Sequence, residues 1–267
     1  MFYAISVSNI GMRPTHEDNF LLNGHMIDCN VQQSMPETKS VQYEAMCRRK
    51  VNFIAVSDGM GGHKAGEVAS RLCIEMLAEL EDQVQDNDDL ELVIAEVQDH
   101  IDELNHELCS EGEKDARLSG MGATLVLFIS CGKNSAVLNI GDSRAYYFDG
   151  KSLCQLTTDH TEGQRMIELG ILTRKEVEKF PARKHLNRYL GYKAFGYKLK
   201  ADVTYLDLTE GTLVLCSDGI SDGLSDTMIN NILGENRIYE AGRILADRAG
   251  SVKNADNATI ILVQMRR

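Results

Sequence analysis

Hydrophobic spacing changes period several times along the chain, and each change marks a change of element. Residues 2–8 (FYAISVS) are apolar or small and run into turn residues at Asn9–Gly11, which predicts a strand. A second strand is expected in FLLNGHMI, near residue 20. Residues 29–50 are polar and carry Pro36, so they read as a surface loop or variable insertion. VNFIAVSD then reads as a short buried strand that ends in the glycine cluster Gly59–Gly62. From Ala65 the period becomes helical, with Val68, Leu72, Ile74, Met76, Leu77 and Leu80 recurring. Residues 81–89 are acidic and read as a connection. A second helix is expected from about Leu90 to Leu108, with Val93, Val97, Ile101, Leu104 and Leu108 on one face. Two adjacent helices with a short connection predict an antiparallel pair on one face of a sheet.

Beyond residue 122 the period shortens again. ATLVLFIS, SAVLNIG, RAYYFDG and KSLCQLT follow at nearly regular spacing, with turns at Gly132–Asn134, Gly141–Asp142 and Asp149–Gly150, and read as an antiparallel meander. Residues 162–200 are charged and read as helical or irregular. DVTYLDL and TLVLCSD are further strands around a turn at Thr209–Gly211, residues 225–249 hold two short helices, and NATIILVQM is a closing buried strand. No repeat of solenoid period and no compositional break divides the chain. The pattern predicts one α/β (α+β) domain over residues 1–267, with antiparallel sheets layered between helices.

Composition narrows the function. The chain has 267 residues, 43% hydrophobic and 25% charged, with a net charge of −12. An acidic surface repels nucleic-acid phosphate, so no nucleic-acid partner is expected. No apolar run approaches the length of a membrane span, and MFYAISVSNIGMR lacks the pattern of a secretory leader. The seven cysteines are odd in number and contain no C-x-x-C, which predicts reduced thiols in a cytoplasmic protein.

The placement of the carboxylates is more informative. Asp58 (VSDGMGG), Asp142 (NIGDSRA), and Asp218 and Asp222 (LCSDGISD) follow apolar runs, Asp256 opens the last strand, and THEDN supplies Glu17 and Asp18. Taken singly, each Asp reads as a turn cap. Brought together, five or more carboxylates could not all stay ionised without counter-charge, and the fitting counter-charge is a hard divalent cation such as Mg²⁺ or Mn²⁺. Spacing alone leaves both readings open.

GMRPTHEDN, VSDGMGGHKAGEVAS, GATL, NIGDSRAYYFDG, LTTDHT, LVLCSDGISD and NADNATIILV occur here in the order found in the bacterial branch of the metal-dependent protein serine/threonine phosphatases of type 2C. The resemblance runs from Gly11 to the last strand. It implies a layered α-β-β-α sandwich of two antiparallel sheets flanked by helix pairs, with residues 162–200 as a flap beside the site. It also implies hydrolysis of phosphoserine and phosphothreonine on proteins, by in-line attack of a water bridging two divalent metals, Mn²⁺ or Mg²⁺. Asp58 then resembles the bridging ligand, the Gly59 carbonyl a ligand of one metal, and Asp218 and Asp256 ligands of the other. Glu17 and Asp18 resemble acids that reach the metals through water. Arg13 matches the phosphate-binding arginine, whose fork holds two phosphate oxygens. Asp142 and Asp222 match acids that hold a third metal in some members. The implied partners are phosphorylated proteins and an opposing serine/threonine kinase, and the implied state is a monomer.

Some positions depart from the family. Animal members carry His two residues after the bridging Asp, whereas this chain has Met60. His63, close by, is not given that role, so the leaving group's proton is left to water. The family's His-Pro-x-Arg in the flap is Phe180-Pro181-Ala182-Arg183 here. His160 of LTTDHT is expected to be structural, and Arg144 of GDSR to have a structural or ion-pair role. The alternative, a phosphoprotein-binding pseudophosphatase or regulatory module, would require a missing ligand, and every matched ligand is present. A cysteine phosphatase is disfavoured because CSDGISD lacks the required Arg.

Overall fold

The computed structural model describes residues 2–61, 65–193, 197–207 and 210–265. One sheet runs in the order β3 (Ser40–Cys47), β1 (Phe2–Asn9), β12 (Ala258–Met265), β11 (Gly211–Cys216), β8 (Arg144–Phe148) and β9 (Leu153–Gln155). The other runs β10 (Asp202–Leu206), β7 (Asn134–Ile140), β6 (Leu125–Cys131), β4 (Val51–Met60) and β2 (Asp18–Leu22), with the short β5 (Gly122–Ala123) paired to the end of β4. The paired strands are antiparallel throughout.

Side-chain alternation explains the layers. Along β6, Leu125, Leu127 and Ile129 pack against α2 (Ala65–Gln83) and α3 (Leu90–Lys114). The intervening Val126 and Phe128 pack against the facing sheet, with Ala145, Leu213, Leu215, Ile261 and Val263. A strand apolar on both faces is stable only between two layers. The first sheet turns its other face, with Ile5, Val7, Val214 and Ile260, to α7 (Asp226–Glu235) and α8 (Ile238–Ala249). The α-β-β-α sandwich expected from the resemblance is observed.

Two expectations fail. The meander over 122–157 is split: β6 and β7 pair in one sheet, β8 and β9 in the other. The chain changes sheets through Gly141, where φ is +97° and a Cβ would lie 2.6 Å from the Thr124 methyl. Period-2 patterning marks strands but says nothing of which sheet they join. For the same reason β10 and β11 belong to different sheets, and the expected turn residue Thr209 lies outside the described residues.

The polar stretch 29–50 is no loop. It forms α1 (Cys29–Thr38), where the Asp28 carboxylate accepts hydrogen bonds from the amides of Asn30 and Val31, and then β3 on the sheet edge. Exposed Gln42, Glu44 and Met46 alternate with half-buried Val41, Tyr43 and Ala45. Polarity there reflects one solvent face and an N-cap, not irregularity. Residues 162–200 hold α4 (Glu162–Glu168) and α5 (Arg174–Val177), then irregular chain, with 194–196 outside the described residues. A short helix α6 (Asp218–Gly223), unanticipated, follows β11 directly.

Candidate active site

The site forms where strands of both sheets end on one side of the sandwich. Asp58 lies near the end of β4 and faces Asp18, the first residue of β2, as its cross-strand partner. Like charges directly opposite destabilise a sheet, so this pair needs a compensating reason. Asp142 lies in the middle of the β7–β8 passage, Asp218 opens α6 after β11, and Asp256 precedes β12. Arg13, Glu17, Asp58, Gly59, Asp142, Asp218 and Asp256 line one basin of about 640 Å³, with Met60 and Lys184 also on its wall.

The loops that carry these groups meet backbone to backbone. A Cβ on Gly59 would lie 2.0 Å from the Gly66 carbonyl oxygen and 2.7 Å from that of Glu17. A Cβ on Gly219 would lie 1.9 Å from the Asn257 carbonyl oxygen. The glycine after each aspartate is therefore a steric requirement for seating Asp58 and Asp218.

Hydrogen bonds then fix the loops. Thr124 Oγ1 accepts from the Asp58 amide at 3.0 Å and contacts Ser143 Oγ at 2.6 Å. Asn257 Oδ1 accepts from the Glu17 amide at 2.7 Å, while its Nδ2 donates to the carbonyls of Ile10 and Thr15. Ser217 Oγ donates to Asp18 Oδ2 at 2.7 Å. His16 is buried; its Nδ1 lies 3.0 Å from the Asp18 carbonyl and so carries the proton, leaving Nε2 to accept from Ser8 Oγ at 2.9 Å. Burial pushes the His16 imidazolium down to about 4, so the ring is neutral.

The electrostatics of the basin are one-sided. Burial, with Asp256 and Glu67 nearby, pushes Glu17 up to about 7 against the pull of Arg13. Burial, with Asp218 and Asp256, pushes Asp18 up to about 7. Burial, with Asp218 and Asp159, does the same to Asp142. Asp58 is held well above the carboxylate range by burial and by four neighbouring aspartates, and Asp218 is raised by burial and Asp256. Among the described residues none of these five makes an ion pair. Asp256 does, with Arg13 Nη2 at 2.5 Å.

This donor set fits hard divalent cations. It is all oxygen, it is half-buried or buried, and its charges oppose one another. Among the described residues no three carboxylate, imidazole or thiol groups close on one point as a finished cage. That is compatible with Mg²⁺ or Mn²⁺, which are held through one or two carboxylates and keep much of their water.

Of the residues expected from sequence, Arg13, Glu17, Asp58, Gly59, Asp142, Asp218 and Asp256 share the basin, and Asp18 is buried behind Asp58. Asp222 stands apart: it is exposed, lines the neighbouring cleft with Asp142 and Asp218, and pairs with Lys184. His63 lies outside the described residues. Arg144 and His160 are engaged by other groups of the chain. Arg144 forms a bidentate pair with Asp159, and His160 Nδ1 accepts from the Gly141 amide. Sequence reasoning missed His16, Ser217 and Asn257, each inside or beside a motif but carrying no charge that would attract notice, and also the clamp made by Thr124.

Comparison with known proteins identifies the family and the fold. The family described as Protein phosphatase 2C matches residues 44–238. The serine/threonine phosphatase stp of Listeria monocytogenes serotype 4b is 32% identical over 214 residues, covering 79% of this chain and 84% of that protein. The crystal structure of the Mycobacterium tuberculosis serine/threonine phosphatase PstP/Ppp superposes with a TM-score of 0.78 at 28% identity over the whole of both chains. The catalytic domain of PstP in complex with two manganese ions superposes with a TM-score of 0.74 at 28% identity, covering 99% of this chain and 100% of that one. With the family matched over most of the chain and the fold shared from end to end, the protein belongs to the protein phosphatase 2C family of metal-dependent serine/threonine phosphatases.

Proposed function

We propose that residues 1–267 act as one catalytic domain that releases phosphate from phosphoserine and phosphothreonine on proteins, using two divalent cations, Mn²⁺ or Mg²⁺. The supporting observation is the carboxylate basin, in which buried Asp18 and half-buried Asp58, Asp142 and Asp218 make no ion pair among the described residues. Asp58, the Gly59 carbonyl, Asp218 and Asp256 would hold the cations, with Glu17 and Asp18 acting through water, and Asp142 with Asp222 would hold a third. The chemistry supplied by bound divalent cations is polarisation of the phosphate and acidification of the attacking water.

The chain's own residues do the rest. Exposed Arg13 can turn its fork from Asp256 to two phosphate oxygens. Thr124 and the glycine contact at Gly59 hold Asp58 in place. Neutral His16 and Ser217 hold Asp18 from beneath. Met60 on the basin wall offers no proton, which leaves protonation of the departing alkoxide to water. We further propose that the protein acts as a cytoplasmic monomer opposing a serine/threonine kinase; no helix among the described residues is long and apolar enough to cross a membrane.

The deciding experiment is hydrolysis of a phosphothreonine peptide with Mn²⁺, Mg²⁺ or EDTA, beside Asp218→Asn. Metal-dependent release abolished by the substitution supports the reading. A folded protein inactive with every metal overturns it.

A further inference from the structure

A second cleft, of about 410 Å³, opens beside the catalytic basin between the flap and α6. The two share Asp142, Asp218 and Lys184 as a common wall, so a substrate seated in one reaches the other. The strip 183–185 connects them. The amides of Gly163 and Glu162 on α4 donate to the carbonyls of Arg183 and His185 at 3.0 and 2.8 Å, which pins that strip. Arg183 then faces the outer cleft and His185 the basin.

The charges in the cleft are divided. Arg144 is taken by Asp159 and Lys184 by Asp222, while Asp142 and Asp218 belong to the shared wall. The outer part holds Arg174, at the start of α5, and Arg183, against the single carboxylate of Glu178. Neither arginine makes an ion pair among the described residues. Two free guanidinium forks on the path of a phosphoprotein match an anionic group bidentately.

We propose that this cleft takes an anionic side chain of the substrate, a carboxylate or a second phosphate, that flanks the phosphorylated residue, with Arg174 and Arg183 as specificity-determining residues. The inference rests on the phosphatase reading given above. An extended peptide advances about 3.3–3.6 Å per residue, so the flanking group is sought within a few residues of the phosphothreonine.

The experiment uses phosphothreonine peptides with Asp, Ala or a second phosphothreonine placed in turn at each of the flanking positions, assayed with Mn²⁺. At one or two positions the anionic peptide is expected to show a KM about fivefold below its Ala counterpart, an advantage that shrinks with added salt. Arg174→Ala with Arg183→Ala is expected to abolish that ratio through KM, and the paired Lys substitutions to restore part of it. The Asp and phosphothreonine arms identify which anion is preferred. A flat profile in the wild type, or a preference that survives in the double Ala variant, overturns the inference. Metal-dependent turnover of the Ala peptide by the wild type separates this failure from failure of the phosphatase reading.

Discussion

Two groups of buried carboxylates lie close together and behave in opposite ways. Asp159 is largely buried, and the Arg144 guanidinium meets it with three hydrogen bonds of 2.6–3.1 Å. In the basin Asp18 is buried and Asp58 half-buried, and the charged groups around them are other carboxylates, with the Ser217 hydroxyl donating to Asp18. The first arrangement is complete within the chain and serves the fold. The second costs free energy until a ligand from outside supplies positive charge. A buried acid therefore points to a cation site when its surroundings are like-charged, and not merely because it is buried.

Breaking either group should have a different signature. The largest effect is expected for Asp58→Asn, with phosphopeptide turnover falling on the order of a thousandfold, since metal-assisted charge stabilisation is worth several kcal/mol. Its metal-free form should melt no lower than the wild type, because one of the opposed charges has gone. A fully active, folded Asp58→Asn would refute the metal mechanism. Next comes Asp159→Ala, which strands the Arg144 guanidinium and should cost about 3 kcal/mol in urea unfolding, the usual price of breaking a buried pair. A cost near zero would mean that water already solvates Arg144.

The contrast also predicts opposite pH trends. Glu17, Asp18 and Asp142 are near 7 when folded, against ordinary values of 4.5 and 3.8. Between those values the folded chain holds protons that the unfolded chain has released. Stability from these groups is therefore present at low pH and lost as pH rises through about 7. Metal-free protein should melt several degrees higher at roughly pH 5.5 than at roughly pH 8, with Mn²⁺ raising Tm most at the higher pH, where it no longer competes with protons. A metal-free Tm that rises steadily with pH would contradict the raised carboxylates. His16 opposes this trend: its value of about 4 lies below the ordinary 6.5, so its contribution is present above 6.5 and lost as pH falls. Replacing it with Gln should steepen the carboxylate trend.

The smallest effect is expected for Asp222→Asn. Its partner Lys184 is half exposed, and such surface pairs contribute about 0–1 kcal/mol. If Asp222 helps hold a third cation, the variant will instead show a weakened second phase in Mn²⁺ titration, which calorimetry can resolve.

The acids were legible in the chain because Asp-Gly after an apolar run is a local pattern with a local reason. Asp58 and Asp218 need their glycines to let neighbouring backbones approach, and a short string of letters records that need. Residues 29–50 read as a loop because an edge strand with one wet face and a helix capped by Asp28 share the polarity of a loop. Ser217 and Asn257 were passed over because their role lies in which carboxylate or amide they reach across the fold, at 2.7 Å in each case.

Sequence by itself determined the periodicities, and through them the strands, the α2–α3 helix pair and the order of motifs that marks the family. Only the tertiary structure decided which sheet each strand joined, that Asp18 faces Asp58, and that Arg174 and Arg183 lie in a cleft shared with the catalytic wall. The reason is physical. Period and turn chemistry are properties of a few consecutive residues, whereas the mutual repulsion of distant carboxylates exists only after the two sheets have packed and water has been excluded from between them.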